Sequence, residues 1–104
     1  MLEGKWDNTT LTIHLPDRID ATSAGETEEK IDEICSQGTI EKLILDAEDL
    51  TYTSSAGLRI ILKLAKREKN ISVINVTPQV YEIFNVSGFT NFISIEKKQD
   101  TAAV

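Results

Sequence analysis

Between Lys42 and Lys69 the apolar pattern changes its period, and no other feature limits the fold as much. From Ile40 to Leu45, after Glu41-Lys42, the chain is nearly continuously apolar, as in an inner strand with both faces covered. From Ala56 or Gly57 to about Lys69, apolar residues recur at helical spacing. Leu58, Ile61, Leu62 and Ala65 stand at i, i+3, i+4 and i+7 and form the expected core stripe. Ile60 and Leu64 lie one turn apart on its flank, where they either pack on a neighbouring helix or contribute to a partner surface. Arg59, Lys63, Lys66 and Arg67 make the wet side.

The join between strand and helix is Leu50-Thr51-Tyr52-Thr53-Ser54-Ser55-Ala56-Gly57-Leu58-Arg59. It places two hydroxyls, a small residue and a glycine at a helix mouth, just past the carboxyl end of a strand. Such a mouth offers unpaired N–H groups and the positive end of the helix dipole, and so accommodates an anion or a phosphoryl group. The same position is an ordinary one for a capping serine. Arg59 lies one turn along from Ser55, within reach of a phosphoryl group there; a solvated arginine is the plainer reading.

The rest of the chain repeats the alternation. Lys5 to Asp7 and Thr10 to Leu15 read as an antiparallel hairpin turning at Asn8-Thr9, with Leu11, Ile13 and Leu15 on one face and Thr12 and His14 on the other. Pro16 to Asp20 is a connector. Asp20 or Ser23 caps the next helix, with Ser23 and Glu26 at capping-box spacing. Ala24, Thr27, Ile31, Ile34 and Cys35 form its apolar stripe, and Gly38 ends it. Ile71 to Val76 is a β-branched strand. Thr77 and Pro78 open a third helix lined by Val80, Ile83, Phe84 and Ser87. Thr90 to Ile95 reads as a last strand, and the polar tail from about residue 97 is expected to fray. The order is β-β-α-β-α-β-α-β: a single α/β domain over 1–104. Its mostly parallel sheet has strands in sequential order, right-handed crossovers and helices mainly on one face.

Tyr52-Thr53-Ser54-Ser55-Ala56-Gly57-Leu58-Arg59 resembles the signature loop of STAS domains, the bacterial anti-sigma factor antagonists. Versions of that loop read aromatic-apolar-Asp-Ser-Ser/Thr-Gly-Leu or Tyr-Ile-Ser-Ser-Ala-Gly-Leu-Arg, and this chain is nearest the second. Alignment on Gly57-Leu58 puts Ser55 on the family's phosphoacceptor and Ser54, a neutral residue, on its Asp. Arg18-Ile19-Asp20 resembles the family's Arg-x-Asp beside the phosphorylation loop, so Asp20 either helps shape the site or simply caps a helix. The resemblance covers nearly the entire chain. It implies phosphoacceptor Ser55, with Asp20, Thr53, Ser54, Ala56, Gly57, Leu58 and Arg59 around it in the partner-binding loop. It also implies an anti-sigma factor serine kinase as partner. The unphosphorylated form binds that kinase and frees a sigma factor, and phosphorylation switches binding off. ATP belongs to the kinase, and no cofactor is expected here. The alternative is an interaction module of a signalling or lipid-transport complex without phosphorylation.

Composition trims the other classes. A formal charge of −6 with no face loaded with Lys or Arg argues against nucleic-acid binding. One cysteine and one histidine give no disulfide and no Cys/His zinc site. Asp46, Glu48 and Asp49 read as a solvated acidic loop rather than a cation site. No leader and no run of roughly 20 apolar residues is seen, so a cytoplasmic protein, monomer or weak dimer, is expected. An enzyme is not expected. Ser54 and Ser55 stand in neither a Gly-x-Ser-x-Gly elbow nor a P-loop, and His14 sits on a strand with no evident route to them.

Overall fold

The computed structural model describes residues 2–91 and 93–98. Strands β1 (Glu3–Asp7) and β2 (Thr10–His14) form the expected hairpin, with Trp6 opposite Leu11. Its turn needs one left-handed residue, and Asn8 takes it at φ 56°. Then follow β3 (Arg18–Ile19), α1 (Ala24–Cys35), β4 (Lys42–Asp46), β5 (Tyr52–Thr53), α2 (Ser55–Arg67), β6 (Ile71–Val76), α3 (Pro78–Val86), a 3-10 turn (Phe89–Asn91) and β7 (Ser94–Lys97). The main sheet runs β1-β2-β4-β6-β7, antiparallel in the hairpin and parallel elsewhere. The sequential order expected from short crossovers is therefore the order found.

Alternation along the strands shows where the core lies. Leu11, Ile13, Leu43, Leu45 and Val73 are fully buried, whereas Thr12, His14, Ile44, Asp46, Ser72 and Ile74 are half-buried. One face of the sheet thus carries the helices and the other stays partly open. This corrects the expectation for β4: its apolar run does not have both faces covered, because Ile44 points to the open face.

α1 buries Ala24, Thr27 and Ile31 and half-buries Ile34 and Cys35, as its stripe predicts. Its cap differs. Ser23 makes no side-chain cap bond; Asp20 supplies the turn instead, its carbonyl accepting the Ser23 and Ala24 N–H groups. The α2 stripe is rotated from the one expected. Gly57, Ile60, Ile61 and Leu64 face the core, whereas Leu58, Leu62 and Ala65 are only half-buried. Two ion pairs tie α2 to α1, Lys63–Glu28 and Arg67–Asp32, each at 3.1 Å. Both partners advance one turn together, so the helices run parallel, as two successive crossovers of one hand require.

α3 is capped by Thr77, whose hydroxyl accepts the Val80 N–H at 3.5 Å, and it buries Val80 and Phe84. Ser87 lies outside its buried side. Gly88 then turns the chain at φ 81°. The last strand starts later than its sequence implies. Thr90 and Asn91 belong to the 3-10 turn, and pairing with β6 begins at Ser94. Phe92, and the tail beyond residue 98, lie outside the described residues.

Candidate functional site

The helix mouth is assembled from two short strands that periodicity does not reveal. β3 and β5 pair in parallel as a separate two-stranded sheet, Arg18 opposite Tyr52 and Ile19 opposite Thr53. Thr51 donates its N–H to Asp17 at 2.8 Å, and Ser54 donates its N–H to Ile19 at 2.9 Å. These two bonds bracket β5 and deliver the chain to α2 at a set angle. A two-residue strand is too short for any alternation, so the only sequence trace of β3 is Ile19, a lone apolar residue in a connector. It is fully buried.

Ser54 is the residue before α2 and has extended backbone, φ −86° and ψ 177°. Its carbonyl accepts the Leu58 N–H at 3.1 Å, starting the helix ladder. Its hydroxyl does not cap the helix; the Oγ is buried and has no hydrogen-bond partner. Ser55, the first helical residue, is exposed. The Ser54 side chain makes no cap bond, so it leaves the first-turn N–H groups, the kind of donors an anion uses, without a partner of its own.

The other positions expected around Ser55 divide into builders and presenters. Thr53 is buried, its hydroxyl donating to the Ser54 carbonyl at 3.2 Å, and Gly57 is buried against it. A methyl group on Gly57 would collide with the Thr53 hydroxyl and come within 2.9 Å of the Ile19 side chain. These two residues build the loop from within. Ala56 and Leu58 are half-buried, and Arg59 is exposed. Tyr52 is 39% exposed, enough to touch another molecule.

Asp20 sits across the small sheet from this loop. Its carboxylate accepts from the Thr22 hydroxyl at 2.7 Å, from Arg18 Nε at 3.1 Å and from the Ser23 and Thr22 N–H groups. The Thr22 hydroxyl, then the Arg18 guanidinium and the Ser23 N–H, hold its pKa well below the usual carboxylate range. Arg18 in turn lies 4.5 Å over the Tyr52 ring, so one guanidinium links Asp20 to the loop entering α2. Sequence reading singled out Arg18 and Asp20 but missed Tyr52 as their partner, which only the pairing of β3 with β5 provides.

His14 stands on the partly open face of the sheet, at the end of β2. Its Nε2 lies 2.7 Å from Asp49 and its Nδ1 3.6 Å from Asp46. Among the described residues no group of three or more His, Cys, Asp or Glu side chains is placed to hold a metal ion.

Residues 4–102 match the model of the STAS domain. The chain belongs to the STAS family. Over 66 residues this STAS chain is 33% identical to BtrV of Bordetella bronchiseptica, a protein named provisionally as an anti-sigma factor antagonist. That match takes in 60% of the chain and 57% of BtrV, so it spans little more than half of the relative's length. The fold superposes on an anti-sigma factor antagonist from Mycobacterium paratuberculosis with a TM-score of 0.82 at 16% identity, covering 99% of this chain and 90% of that one. It also superposes on SpoIIAA in its unphosphorylated form, with a TM-score of 0.75 at 18% identity, covering 99% and 91%. For the phosphorylated form of Bacillus SpoIIAA the TM-score is 0.67, again at 18% identity, covering 99% and 95%. At such identities the structures establish the shared STAS fold.

Proposed function

We propose that this STAS domain is an anti-sigma factor antagonist switched by phosphorylation of Ser55. In the unmodified state it binds an anti-sigma factor kinase and sets a sigma factor free; the kinase, using its own ATP, then modifies Ser55 and ends the complex. One observation carries the reading. Of the two adjacent serines, Ser55 presents its hydroxyl at an unclosed helix mouth, whereas the Ser54 hydroxyl is buried.

The electrostatics fit a switch that needs no refolding. A phosphoserine brings a charge of roughly −1.5 to −2 and three acceptor oxygens. At the start of α2 it meets free N–H groups and the helix dipole, so its own chain tolerates it. A partner surface shaped around a neutral hydroxyl does not. A penalty of about 3 kcal/mol weakens binding by somewhat over a hundredfold, enough to end a complex. Binding rather than catalysis fits the surroundings: the chain's one histidine is engaged by Asp49 and Asp46 instead of serving as a base for Ser55.

The test is intact mass after incubation with the cognate kinase and ATP. One phosphate is expected on wild type and on Ser54→Ala, and none on Ser55→Ala. In parallel, Ser55→Asp is expected to bind the kinase at least a hundredfold more weakly than wild type. Modification that survives in Ser55→Ala, or undiminished binding by Ser55→Asp, overturns the proposal. A wild type that binds but gains no phosphate would point instead to an interaction module without a phosphate switch.

A further inference from the structure

We propose that His14 is a proton-operated tie between the end of β2 and the β4–β5 connection, and that it makes the conformation of the loop leading to Ser55 depend on pH. His14 and Asp46 are register partners at the adjoining ends of β2 and β4. The imidazole is held by Asp49 through Nε2 at 2.7 Å and approaches Asp46 through Nδ1 at 3.6 Å. Among the described residues Asp49 has no other polar side-chain partner, whereas Asp46 also accepts from Asn75 and from the Glu48 N–H. The tie therefore acts mainly on the connection, whose residue Asp49 lies just before the buried anchor Leu50 and the Thr51 N–H bond to Asp17. From there the chain enters β5 and the mouth of α2.

The groups facing His14 favour its charged form. They are Asp46 from β4, Glu48 and Asp49 from the connection, and Glu3, its register partner on β1. Lys5 of β1 lines the same shallow hollow, and its positive charge opposes protonation of His14. The hydrogen bond to Asp49 leads in raising the imidazole above its ordinary value of 6.5, with Asp46, Asp49 and Glu48 adding charge and partial burial opposing. A folded-state value above the unfolded one means that the tie is fully formed below 6.5 and is lost as pH rises through the folded value. With only the neutral imidazole left, the bond to Asp49 keeps the carboxylate's charge but loses the ion-pair contribution of the imidazolium, and the tie weakens. The consequence for partner docking rests on the reading of Ser55 given above, but the tie is a property of this chain alone.

Nuclear magnetic resonance of the whole chain separates the two. The His14 ring is expected to titrate above 6.5, and in Asp49→Asn to fall back toward 6.5. The backbone amides of Glu48 to Thr51, and those of Ser54 to Gly57, are expected to follow the wild-type His14 midpoint; in His14→Gln that step should vanish. An unshifted His14 midpoint, or one untouched by Asp49→Asn, overturns the tie. Amides of residues 54–57 that ignore the titration overturn its reach to Ser55. Neither result depends on a kinase, so failure here and failure of the phosphate switch are distinguishable.

Discussion

Gly57 shows how little room the loop has at the level of one residue. Alanine in place of glycine usually gains about 1 kcal/mol inside a helix. Here the added methyl would press on the Thr53 hydroxyl and the Ile19 side chain, both in buried residues. Overpacking of this kind costs about 1–3 kcal/mol, so Gly57→Ala is expected to lower stability, read as a lower urea midpoint at unchanged slope. Gly25→Ala in α1 meets nothing within 4 Å and should be neutral or stabilising, which makes it the control. Asp20 offers a second test. Its carboxyl titrates below its ordinary 3.8 because Thr22, Arg18 and Ser23 all bind the ionised form. A depressed folded value contributes stability that is present above 3.8 and is lost as pH falls through the folded value. Asp20→Asn should therefore flatten the stability profile on the acid side of pH 3.8 and leave its neutral slope alone, as followed by thermal unfolding across pH.

For the elements, the rotated stripe of α2 is the finding with consequences. Its apolar residues cover a wide arc, and spacing alone does not say which edge of the arc turns inward. Leu58, Ile61, Leu62 and Ala65 satisfy the helical period as well as Gly57, Ile60, Ile61 and Leu64 do. What selects the second set is Gly57, the one side-chain-free position that lets the helix start close against Ile19 and Thr53. Leu64 is 3% exposed and Leu62 half-buried. Leu64→Ala is accordingly expected to cost about 2–5 kcal/mol. Leu62→Ala should cost clearly less, as measured by equilibrium denaturation. A larger cost for Leu62→Ala than for Leu64→Ala would mean that the helix sits at the angle its sequence implied. The same reasoning explains the late start of β7. Thr90 to Ile95 has strand composition, but Gly88 turns the chain first and the 3-10 turn packs Phe89 against Phe84, with ring centres 5.8 Å apart.

Across the whole molecule, the proposed switch would act on a chain that already carries a formal charge of −6. A phosphate on Ser55 adds roughly two more negative charges at one rim. Because the helix mouth supplies donors, no rearrangement of the sheet is needed to hold it. Phosphorylated protein, or Ser55→Asp, is expected to keep the far-ultraviolet circular dichroism of wild type, with amide shifts confined to the loop around residues 52–59 and to neighbours on α1 and α3. Widespread shifts through β2, β4 and β6 would show that modification refolds the domain rather than changing one surface. Spectral change and kinase affinity, measured on the same sample, separate these outcomes.

Period and punctuation in the sequence determined the alternation of strands and helices, the hairpin at Asn8, the parallel sheet in sequential order and the exposed serine at the start of a helix. These follow from the local period of each segment and from short right-handed crossovers between successive segments, which a linear pattern records. Tertiary structure alone decided the pairing of β3 with β5, the burial of Thr53, the angle of α2 about its axis and the meeting of His14 with Asp49. Each depends on residues about 34 or more positions apart, such as Ile19 with Thr53 and His14 with Asp49. Such approaches leave no periodic trace, because they arise from how layers pack and not from how a single segment repeats.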